Sequence, residues 1–201
     1  VGRNFVLAAP TGKASKVLTQ KTQCEAYTIH KSIYSFEDIA EYREDNLDGS
    51  QTYKYYFQLL GNDCSVDTVF IIDEASMVSD VYNEEEFFRF GSGYLLRDFF
   101  KFVNLDHNDH KKKVIFIGDN AQLPPVGMGF SPALDEKYLS KEHNIKSVSF
   151  ELTEVVRQKA DSGVIHNSKK LRKSLNDVVF NQLAIDFGYP DVEEVSHEKT
   201  M

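Results

Sequence analysis

The sequence predicts an α/β domain built on a parallel sheet. Two runs, Val69–Ile72 and Val114–Ile117, are apolar at every position, as strands covered on both faces must be. Each gives way at once to a polar turn, Asp73-Glu74 in one and Gly118-Asp119 in the other. Segments with helical spacing of apolar residues lie between the strand-like runs. Strands that alternate with helices form parallel sheets, and ligands bind beyond the carboxyl ends of such strands.

Four strands are expected, at Asn4–Ala8, Thr68–Ile72, Lys113–Ile117 and Lys146–Leu152. Helical spacing predicts one helix from Lys13 to Thr19 or beyond. A second is expected over Tyr82–Val103, rich in Phe87, Phe88, Leu95, Leu96, Phe99, Phe100 and Phe102. Val164, Leu171 and Leu175 place an apolar stripe on a third. The stretch Tyr42–Ser65 breaks this rhythm. Asp48-Gly49 and Gly61-Asn62 are turn signals on either side of Gln51–Leu60, which carries Tyr53, Tyr55, Tyr56 and Phe57. The expected organisation is therefore a first part of the α/β domain over 1–41 and a small hairpin-like insertion over 42–66. The remainder of the domain follows over 67–178, and a tail or the start of a following region over 179–201. The chain opens on Val1 rather than Met and enters a strand-like run at once, which reads as a piece of a longer protein.

Composition excludes several classes. With 201 residues, 41% hydrophobic and 27% charged, the chain is neither disordered nor too small to bury a core. No apolar run approaches the ~18 residues of a membrane helix, and no signal peptide opens the chain. Cys24 and Cys64 have no CxxC spacing and no histidine cluster, so a disulfide scaffold or zinc site is not expected and a reducing, cytoplasmic compartment is. A net charge of −8 argues against coating nucleic acid non-specifically, but not against a local groove. The charge is segregated. Residues 1–33 hold Arg3, Lys13, Lys16, Lys21 and Lys31 against Glu25, whereas residues 34–67 hold eight acids against Arg43 and Lys54. This is either a solvated face or a basic ledge for a polyanion followed by an acidic insertion.

Four segments carry candidate chemistry. Asp73-Glu74 puts two carboxylates at the edge of a sheet, where the first can hold Mg²⁺ and the second can orient or deprotonate a water. The plainer alternative is that both cap the following helix. Gly118-Asp119-Asn120-Ala121-Gln122-Leu123-Pro124-Pro125-Val126 follows a second buried strand. Gln122 offers a neutral donor and acceptor suited to a phosphate or a water, while Asp119 is read as the stabiliser of a turn. Ala9-Pro10-Thr11-Gly12-Lys13-Ala14-Ser15 holds the sequence's single Gly-Lys pair, but Leu7 and Ala14 stand where a P-loop needs Gly and Ser or Thr. It is a degenerate P-loop or a strand-end loop meeting the phosphate of another molecule, with Thr11 and Lys13 at a free helix N-terminus. Arg157, in Leu152–Gln158, is either a charge stabiliser for phosphoryl transfer or an exposed helix-start arginine.

Taken in order, these segments resemble superfamily 1B DNA helicases of the RecD and Dda type, with a RecA-like parallel sheet. Ala9–Ser15 is similar to their motif Ia, Thr28-Ile29-His30-Lys31 to a short element after it, and Asp73–Met77 to motif II. Gly118–Val126 is similar to motif III and Leu152–Gln158 to motif IV. The resemblance spans residues 5–160 and implies an ATP-dependent helicase that moves 5′ to 3′ on single-stranded DNA, with ATP and Mg²⁺ as cofactors. It implies that Asp73 binds Mg²⁺, that Glu74 is the catalytic base, and that Gln122 and Arg157 contact the γ-phosphate. Thr11, Lys13 and His30 would face the tracking strand, although a buried, hydrogen-bonded His30 is the equal alternative. The insertion near Tyr53–Leu60 takes the place of the 1B hairpin that separates strands at a duplex junction, with Tyr55, Tyr56 and Phe57 as candidates for contact. RecD works inside a helicase–nuclease complex as an exonuclease V alpha subunit, which adds such a complex to the implied partners and DNA repair to the implied setting.

Two departures accompany the resemblance. The true P-loop, motif I, precedes motif Ia in the family, and a second RecA-like domain follows; neither is among these 201 residues. The isolated chain is therefore expected to hydrolyse ATP negligibly and unwind nothing. Two other readings stay open: a metal-dependent nuclease using Asp73, Glu74 and Asp119, and a non-catalytic nucleic-acid-binding module with a worn P-loop.

Overall fold

The structure is a computed structural model and describes residues 2–45, 47, 49–105, 111–152, 162–175 and 184–195. They fall into two compact units, Val1–Ser149 and Phe150–Met201.

The first unit holds a parallel sheet as predicted, with three of the expected strands and a fourth, Ala26–Thr28, that is not among them. Its strands are β1 (Phe5–Ala9), β2 (Ala26–Thr28), β5 (Val69–Ile72) and β7 (Lys113–Phe116), ordered β2-β1-β5-β7 with every pair parallel. The arrangement is α/β and RecA-like. Register aligns Ala8 with Ile72 and Ile72 with Phe116, so the strands end together at one edge. α1 (Gly12–Thr22) follows β1, and Thr11 is its N-cap, the Thr11 hydroxyl accepting the Ala14 amide at 3.2 Å. α2 (Ile29–Ile33) is capped in the same way by Thr28.

The core gathers on one face of the sheet. Phe70 meets Phe99 and Phe102 edge-on, and Phe116 packs against Phe99 and Phe100. These partners lie on α3 (Leu95–Val103), whose Leu96 and Val103 have no solvent exposure. Burying a side chain of this size contributes about 1.5–3 kcal/mol.

Three predicted elements differ. The helix expected over Tyr82–Val103 is confined to α3, and Phe88–Phe90 is instead a strand, β6. Gly91 (φ 47°) and Gly93 (φ 85°) separate the two, in backbone conformations that no helix continues through. The insertion begins at Tyr34, earlier than expected. β3 (Tyr34–Asp45) pairs antiparallel with β4 (Gln51–Leu59), and β6 adds parallel to β4 to make a second sheet of three strands. Lys146–Leu152 forms no strand. Its alternating Val148, Phe150 and Leu152 are 97%, 89% and 82% exposed, the pattern of a strand with no neighbour to pair with among the described residues.

Beyond β7, a 3-10 turn at Pro132–Leu134 leads into α4 (Glu136–His143), capped by Asp135. In the second unit, α5 (Gly163–Leu175) is the third helix expected from the sequence. Asp191 caps its first turn, accepting from the Ser162 hydroxyl at 2.7 Å and the Gly163 amide at 2.8 Å, bonds that hold its carboxyl below the usual range. Among the described residues no helix is long and apolar enough to cross a membrane.

Candidate functional site

The carboxyl edge of the parallel sheet is closed by backbone hydrogen bonds that run past the strands. The Asp73 amide donates to Ala8, Ile117 to Ile72, and Ala75 back to Ile117, at 2.8–2.9 Å. The turn carrying Asp73 and Glu74 is therefore stitched to the end of the neighbouring strand. Gly118 makes the junction close. A Cβ there would lie 2.9 Å from the Ser76 amide nitrogen and 2.9 Å from Leu134 Cδ1, so only glycine lets the two turns meet.

Glu74 is in the left-handed region, at φ 53° and ψ 37°. The other described non-glycine residues with positive φ are Gln23, Asn104 and Asn144, and each is the C-cap of a helix. Glu74 ends no helix. It precedes the 3-10 turn Ala75–Met77 but makes no side-chain cap, which removes the capping explanation for this carboxylate. A non-glycine residue held in this region costs on the order of 1–3 kcal/mol, and such strain concentrates at functional sites. Asp73 Oδ1 accepts the Glu74 amide at 3.0 Å and so fixes the turn. Inside it, the Ser76 hydroxyl is buried with no hydrogen-bond partner among the described residues.

On the neighbouring loop, Asp119 Oδ1 accepts the Ala121 amide at 2.9 Å, and the Gln122 amide donates to the Asp119 carbonyl at 3.0 Å. Asp119 thus has the turn-forming part expected of it, and the turn leaves the Gln122 side chain exposed. Asp73, Glu74 and the Gln122 loop are brought to one edge. Arg157 lies outside the described residues. The donor set suits Mg²⁺, because Asp73 and Glu74 offer hard carboxylate oxygens. It offers no backbone cradle for a triphosphate, and the chain's Gly-Lys pair opens α1 on β1 instead. Among the described residues no group of three or more His, Cys, Asp or Glu is placed to hold a metal ion.

A family model described as an AAA domain matches residues 1–86. The match supports a P-loop NTPase-like, helicase-like domain. It takes in Thr11, Lys13, His30, Asp73 and Glu74 and stops short of Gln122. The chain is also 30% identical, over 126 residues, to an uncharacterized protein of Methanocaldococcus jannaschii. The aligned stretch is 61% of this chain, which spans only 9% of the length of that curated relative.

The residues expected to face a DNA strand are spread over two places. Thr11 and the exposed Lys13 are in the cap and first turn of α1. The His30 ring packs edge-on against Phe90 with centroids 4.9 Å apart, and against Tyr34 at 5.7 Å. Burial lowers its pKa, which favours the neutral ring. Tyr34 in turn donates to the buried Asp98 at 2.8 Å.

The three-stranded sheet sorts the aromatic candidates by face. Register puts Ile39, Tyr53, Tyr55, Phe57, Phe88 and Phe90 on one side, where Phe57 stacks on Phe90 at 4.5 Å while Tyr53 and Tyr55 are 48% and 43% exposed. Tyr56 is on the other side, beneath the Arg89 guanidinium. That side is polar: Glu84 takes hydrogen bonds from Tyr82 and from Lys54 at 3.1 Å, and with Arg89 nearby these hold its carboxyl below the usual range. Of the three aromatic residues first considered, Tyr55 is the one open to a ligand, and Phe88, missed in a segment read as helix, is its neighbour across the register.

Sequence reasoning also missed Asp80. Its carboxylate is wholly buried and gathers Arg97 Nε at 3.1 Å, the Tyr138 hydroxyl at 2.7 Å and His143 Nε2 at 3.0 Å. Burial first, and then the bond to Asp80, push the Tyr138 hydroxyl up to about 12. These partners lie 17, 58 and 63 positions away, so no local pattern signals the group.

Proposed function

We propose that the carboxyl edge of the parallel sheet is part of the nucleotide site of an ATP-dependent DNA helicase of the RecD and Dda type, moving 5′ to 3′ on single-stranded DNA. The observation that carries this reading is the junction at Gly118, which holds the strained Glu74 turn against the loop bearing Gln122.

Asp73 would hold Mg²⁺, whose chemistry when bound with ATP is to neutralise charge on the phosphates. Glu74 orients the attacking water and takes its proton, and the left-handed backbone sets the direction in which its side chain leaves the turn. Gln122 contacts the γ-phosphate through its side-chain amide, with Arg157 as the charge-stabilising partner. In this reading the P-loop that cradles the phosphates is not among these 201 residues. Thr11 and Lys13 meet the DNA backbone at the start of α1, His30 meets the strand separately from α2, and Tyr55 with Phe88 gives the insertion a face on which bases at a duplex junction can stack. Work inside a helicase–nuclease complex, in the cytoplasm and in DNA repair, belongs to the same reading.

The test is ATP hydrolysis stimulated by single-stranded DNA, measured on the protein translated from the full reading frame and on this chain alone. The full protein is expected to turn over ATP and to lose turnover in Glu74→Gln, while the 201-residue chain is inactive. Unchanged turnover in Glu74→Gln refutes the assignment.

A further inference from the structure

The Glu74 turn and the Gln122 loop are joined a second time, away from the sheet. Six residues beyond Glu74, Asp80 ends the segment that carries the acidic pair. The Ser79 carbonyl accepts the Leu96 amide at 3.0 Å, which pins that segment to α3. Two of the three groups that meet the Asp80 carboxylate, Tyr138 and His143, belong to α4, the helix reached by the chain that leaves the Gln122 loop. On the way, Leu134 lies where a side chain at Gly118 would go. The two site-bearing segments are thus tied at both ends, by Gly118 and by Asp80.

We propose that Asp80 is a positioning residue of the site: through Tyr138 and His143 it fixes the Glu74 turn relative to the Gln122 loop, touching no substrate itself. The inference rests on the nucleotide-site reading above. Arg97 and Tyr138 donate to the Asp80 carboxylate and His143 Nε2 lies 3.0 Å from it, and three groups converging on one buried carboxylate define a single geometry. Removing a donor leaves the sheet intact and loosens the two turns together.

Tyr138→Phe removes one of these bonds at little cost in volume, and Asp80→Asn removes the charge. Amide hydrogen exchange on the 201-residue chain reads the link directly. In either variant, exchange at Ala75, bonded to Ile117, and at Gln122, bonded to Asp119, is expected to rise, by up to roughly tenfold for one lost hydrogen bond. Tyr55, bonded to Phe87 in the other sheet, is the control and keeps its rate. If Asp80→Asn fails to fold, Tyr138→Phe still decides. Unchanged exchange at Ala75 and Gln122 overturns the proposal. On the protein from the full reading frame, Tyr138→Phe should lower kcat and leave KM for ATP in place; a kcat equal to that of the parent overturns the positioning role. A rise in exchange at both amides, with no ATP turnover even in the parent, supports the link and refutes the nucleotide reading instead.

Discussion

The two sheets of the first unit use the same residue types to opposite ends. Beside the parallel sheet, a carboxylate with three partners, Asp80, is wholly buried. Beside the three-stranded sheet, a carboxylate with four polar neighbours (Tyr42, Lys54, Tyr82 and Arg89), Glu84, keeps a fifth of its side chain in solvent. The aromatic residues divide in the same way: Phe70, Phe99 and Phe102 are core, whereas Tyr53, Tyr55 and Phe88 stand open on a sheet face. The same chemistry is worth more where water is excluded, because a buried donor without an acceptor has nothing to replace it. The parallel sheet therefore holds a geometry, and the insertion presents a surface.

Substitutions should reproduce that contrast. The largest effect is expected for Asp80→Ala, about 2–4 kcal/mol of lost stability in denaturant titration, because Tyr138 and His143 both lose their partner. An effect as small as that of a surface substitution would dissolve the contrast. Gly118→Ala should cost about 1–3 kcal/mol by overpacking the Ser76 amide and Leu134, and should lower turnover in the full protein beyond what its stability loss accounts for.

Glu74→Gly should move the other way, gaining about 1 kcal/mol by releasing the left-handed strain while abolishing turnover. A Glu74→Gly variant that is less stable than the parent would show that no strain is stored there. Next in size is a pH effect. Burial lowers the His30 pKa in the folded state, so the unfolded chain binds the extra proton first. Stability is then fully present above the ordinary histidine value of about 6.5 and is lost as pH falls through the folded value. Melting temperature followed against pH should show this acid limb weakened in His30→Phe. Glu84→Gln should leave the denaturation midpoint unchanged, the smallest effect of the set.

The two central parallel strands β5 and β7 were legible because Val69–Ile72 and Val114–Ile117 are apolar throughout, and their turns because each run ends abruptly in acid or glycine, whereas β2, three residues long, carries no such run. β6 was not legible: Phe87 and Phe88 stand at helical spacing from the Leu95–Phe102 stripe, and only Gly91 and Gly93 contradict the helix. Lys146–Leu152 has the alternation of a strand, yet a strand also needs a neighbour, which its own sequence does not specify. Asp80 was invisible because a buried carboxylate is defined by partners brought from distant elements. Glu74 gave away its residue type but not its strained backbone, which follows from the closure of the two turns at Gly118.

That the two turns serve one reaction is tested most directly by a double-mutant cycle on the full protein, with Glu74→Gln and Gln122→Ala read in kcat for ATP hydrolysis on single-stranded DNA. Groups acting on the same phosphoryl transfer are non-additive, so the double variant should be no slower than the worse single variant. Losses that multiply independently would place Glu74 and Gln122 in separate roles and contradict a shared site.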